Sequence, residues 1–186
     1  ELSGVTHLFF LRDLVAETDL RPRHFVQPYF VQAQEGAAPI SSLPGIARTG
    51  IEATCRQVEG DLKLGLKSVL LFGVPEGKDP DAHHAHDPEG IVPKAVAGLK
   101  KRFGQDLVVM TDVCLCAYTD HGHCGVLTDG AIDNDKSLAP LAAMALAHAE
   151  AGADLVAPSD MMDGRVAALR DALDAEGHTG TGILSY

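Results

Sequence analysis

The sequence predicts an α/β fold built on a parallel sheet. Three observations carry this. From residue 25 onward, short apolar runs alternate with longer stretches that have one apolar side, the pattern of strands joined by right-handed helical crossovers. Pro140 and Gly152 stand where a helix should begin and end. Polar and thiol residues gather directly after the apolar run at 107–113, and parallel α/β folds place their sites at the carboxyl ends of strands.

The elements follow in order. Residues 6–17 read as a short helix with Phe9, Phe10, Leu14 and Val15 on its apolar side. Packing beneath the sheet is the simpler reading of that side; an arm lying on a neighbouring subunit is the other. Strands are predicted at 25–31, 68–74, 107–113, 154–158 and 182–186. Pro28 removes a ladder donor from the first strand, which should therefore be irregular or bulged there. Helices are predicted at 51–64, 90–103, 137–151 and 164–176, with Pro140 in the first turn of the third and Gly152 just past its last. Two long loops remain. Residues 33–50 hold Pro39, Pro44, Gly45 and Gly50, and residues 75–90 hold His83, His84 and His86 among Asp79, Asp81 and Asp87. A His-rich tract can bind metal, but a solvated, mobile loop is the simpler reading. Alternation resumes after each loop, so neither reads as an interdomain linker.

Composition sets the class. A chain of 186 residues suits one domain, and 46% hydrophobic residues can build a sizeable core. Residues 1–24 read as an N-terminal arm or helix and 25–186 as part of one domain. A net charge of −11 argues against nucleic acid and anionic membrane surfaces as partners. No apolar run approaches the ~20 residues of a membrane span. The first seven residues lack the basic start and cleavage site of a signal peptide. They also lack Met, so a true N-terminus that was trimmed or left unobserved is expected. Only 4 Cys in 186 residues, with no secretory segment, predicts a reducing compartment and a cytoplasmic protein.

The most informative stretch is 112–125, Asp-Val-Cys-Leu-Cys-Ala-Tyr-Thr-Asp-His-Gly-His-Cys-Gly. Cys114, Cys116 and Cys124 fall within it. Thiolates select soft or borderline metals, zinc above all. Three protein ligands would leave an open fourth position, the catalytic form of a zinc site. A disulfide and three buried small hydrophobes are the competing readings. The surrounding Asp112, Asp120, His121, His123, Gly122 and Gly125 are loop residues and not core. Asp112 and Cys114 share the parity of Val108 and Met110, so all four should point to one side of the strand.

At 112–125 the chain resembles the zinc-dependent 5-aminolevulinate dehydratase, or porphobilinogen synthase, family. The resemblance extends over further blocks, in the family's order: residues 12–18, Phe25-Val-Gln-Pro-Tyr-Phe-Val31, Pro39-Ile40 with Leu43-Pro-Gly-Ile46 and Arg48, Val69-Leu-Leu-Phe-Gly-Val-Pro75 with Lys78-Asp79, and Val156-Ala-Pro-Ser-Asp-Met-Met-Asp-Gly-Arg165. It implies a (β/α)8 TIM barrel with an N-terminal arm, of which this chain supplies about the first five strands, usually assembled as a homo-octamer. It implies a hydro-lyase that condenses two 5-aminolevulinate molecules into porphobilinogen, early in haem and other tetrapyrrole synthesis.

The site residues follow from the same resemblance. Cys114, Cys116 and Cys124 match the Zn2+ ligands, and Mg2+ is admitted as an allosteric ion. Asp112 and Ser159 match active-site polar residues. His123 matches a histidine beside the zinc, or else serves as a loop histidine bonding backbone. Asp160, Asp163 and Arg165 should organise a turn, Met161 and Met162 should pack, and Cys55 should be buried and inert. The two Schiff-base lysines match positions beyond Tyr186; Lys67, Lys78 and Lys94 stand in other contexts. A full barrel takes ~250 residues, so a piece of a longer chain is expected. The alternatives are a non-catalytic zinc- or thiol-binding module with a structural or redox role, a truncated inactive relative, and a metal-free Schiff-base lyase of the aldolase type, which the cysteines disfavour.

Overall fold

The computed structural model describes residues 9–186; residues 6–8 of the first predicted helix lie outside them. Helix α1 (Phe9–Leu14) is short and buries none of its residues. Phe10 is 85% exposed and Leu14 78%, so packing beneath the sheet is overturned.

The sheet begins with β1 (Val26–Gln32), followed by β2 (Ala37–Pro39) and β3 (Ala47–Thr49). The predicted loop at 33–50 thus contains two strands, with β2 antiparallel to β3 and β3 parallel to β1. Helix α2 (Ile51–Lys63) leads to β4 (Ser68–Val74), and α3 (Ile91–Phe103) to β5 (Val108–Val113). A small hairpin of β6 (Leu127–Thr128) and β7 (Ala131–Ile132) precedes α4 (Asn134–Glu150). Strand β8 (Leu155–Pro158), α5 (Arg165–Ala175) and β9 (Gly182–Ile183) complete the order. The main sheet runs β2-β3-β1-β4-β5-β8-β9. Strands β1, β4, β5, β8 and β9 are parallel neighbours in chain order, as expected of the first five strands of a (β/α)8 barrel.

Two local expectations are corrected. Strand β1 carries no bulge, because its register with β4 runs unbroken through Pro28↔Leu70. Strand β3 reaches β1 only at Phe30 and Val31. Among the described residues, position 28 has a ladder neighbour only on the β4 side. Helix α4 starts at Asn134, so Pro140 lies inside it. Asp133 caps the earlier start, its carboxylate accepting from the Lys136 N–H at 3.1 Å. Gly152 closes the helix with φ +101°.

Side-chain alternation sorts the sheet into two faces. Tyr29, Val31, Val69, Leu71 and Val109 meet Val58 of α2 and Val92, Val96 and Leu99 of α3 in one core. Val113 and Val156 meet Leu141 and Met144 of α4 and Leu169 and Leu173 of α5 in a second. Each fully buried Leu or Val contributes roughly 1.5–3 kcal/mol by leaving water. Cys55 is buried in the first core. The other face carries the row Pro28–Leu70–Met110–Leu155–Gly182, continuous through the strand registers. Met110 thus faces away from both cores, and Asp112 shares its parity.

Opposite the site, at the amino ends of the strands, Lys100 donates to both oxygens of Asp154 at 3.0 Å, and the Val109 N–H donates to the same carboxylate at 2.7 Å. This ties α3 to the starts of β5 and β8. The His-rich segment is a pinned 3-10 turn, and not a loose loop. Asp79 accepts from the N–H groups of Asp81 and His83, while Ala82 and Ala85 are buried beneath it.

Candidate metal centre and active site

Chain geometry brings the three thiols together. Strand β5 ends at Val113, and Leu115–Ala117 form a 3-10 turn, so Cys114 caps one tight bend and Cys116 sits within it. The chain then loops out and returns, held by the Thr119 hydroxyl donating to the His123 carbonyl at 2.8 Å. Gly125 lets the return pass close to α4: a Cβ there would stand 2.5 Å from the Ser137 hydroxyl. The sulfurs of Cys114, Cys116 and Cys124 all lie within 4.8 Å of one another. All four cysteines are free thiols, so no disulfide joins them. Cys114 is buried, and the other two are half-buried.

The thiols are electrostatically unequal. Cys114 donates to the Cys116 sulfur at 3.4 Å. That hydrogen bond holds Cys116 down to about 6, with the charge of Lys78 helping and burial opposing. The same bond, with burial, pushes Cys114 up. Burial pushes Cys124 up as well. One thiolate is thus favoured and three are not, unless a cation neutralises them. Tetrahedral zinc with ~2.3 Å bonds needs sulfurs roughly 3.8 Å apart, which this cluster accommodates. The donor set fits zinc by both charge and spacing.

Beside the thiols stands a polar pair. Asp112 is the fifth residue of β5, and Ser159 directly follows β8. The Ser159 hydroxyl donates to Asp112 Oδ1 at 2.6 Å, and the Tyr186 hydroxyl donates to the same oxygen at 2.9 Å. Burial pushes the Asp112 carboxyl above the usual carboxylate range, against the pull of these two donors. Tyr186 was not singled out by the sequence except as the end of a strand. Its parity carried a signal, because it lies an even number of residues beyond Gly182, which belongs to the inner row.

The remaining predicted residues divide. His123 is exposed, and its ring lies 5.4 Å from that of His121. Asp160 and Arg165 shape the turn: Asp160 accepts from the Met162 N–H at 2.8 Å, and Arg165 donates to the Met162 carbonyl at 3.1 Å. Asp163 joins through its N–H to the Asn134 side chain at 2.7 Å. Met162 is buried, but Met161 is 80% exposed with φ +67°, so its packing expectation is overturned. The turn after β8 needs a left-handed residue there, and that conformation aims the side chain outward. Asp79, Asp81 and His83 also bring ligand atoms within 4.8 Å, but Asp79 is already engaged by the turn it caps. Lys67, just before β4, and Lys94, in the first turn of α3, are exposed, and Lys94 pairs with Glu89 at 3.6 Å.

A three-thiol cluster next to a hydrogen-bonded Asp–Ser pair, at the carboxyl ends of a parallel sheet, is the kind of site that parallel α/β enzymes carry. Residues 5–186 match the family described as delta-aminolevulinic acid dehydratase. The dehydratase of Methanothermobacter thermautotrophicus is 49% identical over 179 residues, covering 95% of this chain and 54% of that protein. That of Bacillus subtilis is 45% identical over 177 residues, with the same two coverages. The crystal structure of the Toxoplasma gondii enzyme, in complex with its reaction product porphobilinogen, superposes with a TM-score of 0.92 at 40% identity, over 95% of this chain and 51% of that one. The chain belongs to the delta-aminolevulinic acid dehydratase family, and it spans about half the length of these relatives.

Proposed function

We propose that the protein containing this chain condenses two 5-aminolevulinate molecules into porphobilinogen, with zinc held by Cys114, Cys116 and Cys124 and a non-protein fourth ligand. The carrying observation is the three sulfurs within 4.8 Å beside the Asp112–Ser159 pair. Zinc bound there would act as a Lewis acid on a substrate oxygen and lower the pKa of water. Asp112, whose carboxyl burial pushes up against the pull of its two hydroxyl donors, would serve as the proton-handling group beside the metal. Ser159 orients that carboxylate from the neighbouring strand end. His123 stands on the loop that carries Cys124 and would support the metal from outside its ligand set. The amines that would hold both substrates as Schiff bases are assigned, by resemblance, to positions after Tyr186.

Further parts of this reading have their own support. The exposed apolar residues of α1 fit an arm laid on a neighbouring subunit of a homo-octamer. Four free thiols fit a reducing, cytoplasmic setting. Among the described residues no helix is long and apolar enough to cross a membrane.

The test uses the full-length gene product. Zinc content near one ion per three-cysteine site, pyrrole formation from 5-aminolevulinate, loss of that activity on chelation and its return with zinc are expected. The same assay with and without Mg2+ tests the allosteric ion. Zinc bound without any pyrrole formed would instead establish a non-catalytic thiol–metal module.

A further inference from the structure

We propose that Tyr186 is a positioning residue for the reaction, acting through Asp112. This inference rests on the condensation reading above. Asp112 Oδ1 receives two hydroxyl donors from two different strand ends, Ser159 at 2.6 Å and Tyr186 at 2.9 Å. Two donors converging on one oxygen fix the rotation of the carboxylate. The other oxygen has no hydrogen-bond partner among the described residues. The site is therefore a three-strand construction: β5 brings the carboxylate, β8 one donor and the segment after β9 the other.

The segment that carries Tyr186 is itself held in place. Arg165 donates through Nη2 to the Ser185 hydroxyl at 3.1 Å and through Nη1 to the Met162 carbonyl at 3.1 Å. Its Nε lies 3.6 Å from the buried Asp160 carboxylate. One guanidinium thus ties the turn after Ser159 to the residue before Tyr186. Both donors to Asp112 share this support, so their separation is set by the same clamp. Tyr186 is more than half exposed, and a surface tyrosine needs no such anchoring for packing alone.

The experiment compares Tyr186→Phe, Asp112→Asn and the double variant in the full-length, zinc-loaded enzyme. Tyr186→Phe keeps the ring and removes only the donor. Its kcat should fall ~10-fold to ~100-fold, as misplacement of a reacting group does, with KM within about 2-fold and zinc content and thermal midpoint unchanged. In the Asp112→Asn background the same substitution should cost nothing further, because the two residues act as one unit. Any of three results would overturn the proposal: an unchanged kcat, a full-sized loss that persists without the Asp112 carboxylate, or a loss that tracks lowered zinc content or lowered midpoint. A wild-type enzyme that forms no pyrrole would instead remove the condensation reading, before any variant is compared.

Discussion

Among the described residues the two oxygens of Asp112 are unequal: one is bound twice, the other not at all. The carboxylate also stands on a strand face whose row one step back, Leu70–Met110–Leu155, is apolar. A carboxylate kept in such a place serves chemistry more than folding, since an apolar residue would pack there at lower cost. Asp112→Ala in the complete protein should therefore lower kcat for pyrrole formation by ~10²–10⁴-fold, with little change in thermal midpoint; near-normal turnover would show that this carboxylate has no part in the reaction. The thiols were legible because cysteine is scarce in this chain and three of four fall in one loop. Asp112 was legible by strand parity. Tyr186 shared that parity, but its pairing with Asp112 was not legible, because the partner lies 74 residues away in sequence and the strand before it regularises for only two residues. Met161 was misread for a related reason: a left-handed backbone at a non-glycine residue is imposed by the turn and leaves no local sequence mark.

Within α4, His148 is fully buried, with neither ring nitrogen hydrogen-bonded among the described residues. Burial holds its imidazole down to about 3, against an ordinary value near 6.5. The unfolded chain takes up a proton as pH falls through about 6.5, and the folded chain refuses it until about 3. Stability should therefore decline with falling pH across that window, by up to about 1.4 kcal/mol per pH unit from this residue. His148→Leu should flatten the decline: thermal midpoints of wild type and variant, measured between pH 7 and pH 5, should diverge in the variant's favour toward acid. Parallel slopes would mean that water or another group satisfies the ring. At this scale most elements were legible, since the long helices and strands each bury one periodic face. The hairpins were not, because strands of two or three residues are too short to display a period of two. Helix α4 starts earlier than its apolar pattern because a single side chain, Asp133, supplies the cap.

At the scale of the whole fold, the helices among the described residues cover one face of the sheet and leave the other bare. Phe30 and Phe72 stack on that face with centroids 5.3 Å apart, and Val26 is 40% exposed. Expressed alone, residues 1–186 should bind a hydrophobic dye, self-associate and form no pyrrole from 5-aminolevulinate, whereas the full-length protein should do the reverse. Borohydride trapping of an amine adduct on Lys67, Lys78 or Lys94, with product released, would place the chemistry in this half after all. The parallel α/β class was legible from alternation alone; the open face was not, because it is a property of how strands assemble and no single strand encodes it. The β2–β3 pair has a consequence of its own for a ring built on this sheet. Strand β3 already occupies the outer hem of β1 at Phe30 and Val31, and β2, which flanks it, ends in Pro39, a poor template for another strand. An incoming strand can zip onto β1 only along Val26–Tyr29. Shifted one step toward the site, it would collide with β3. The hairpin is thus a doorstop that sets where the barrel's last seam must close.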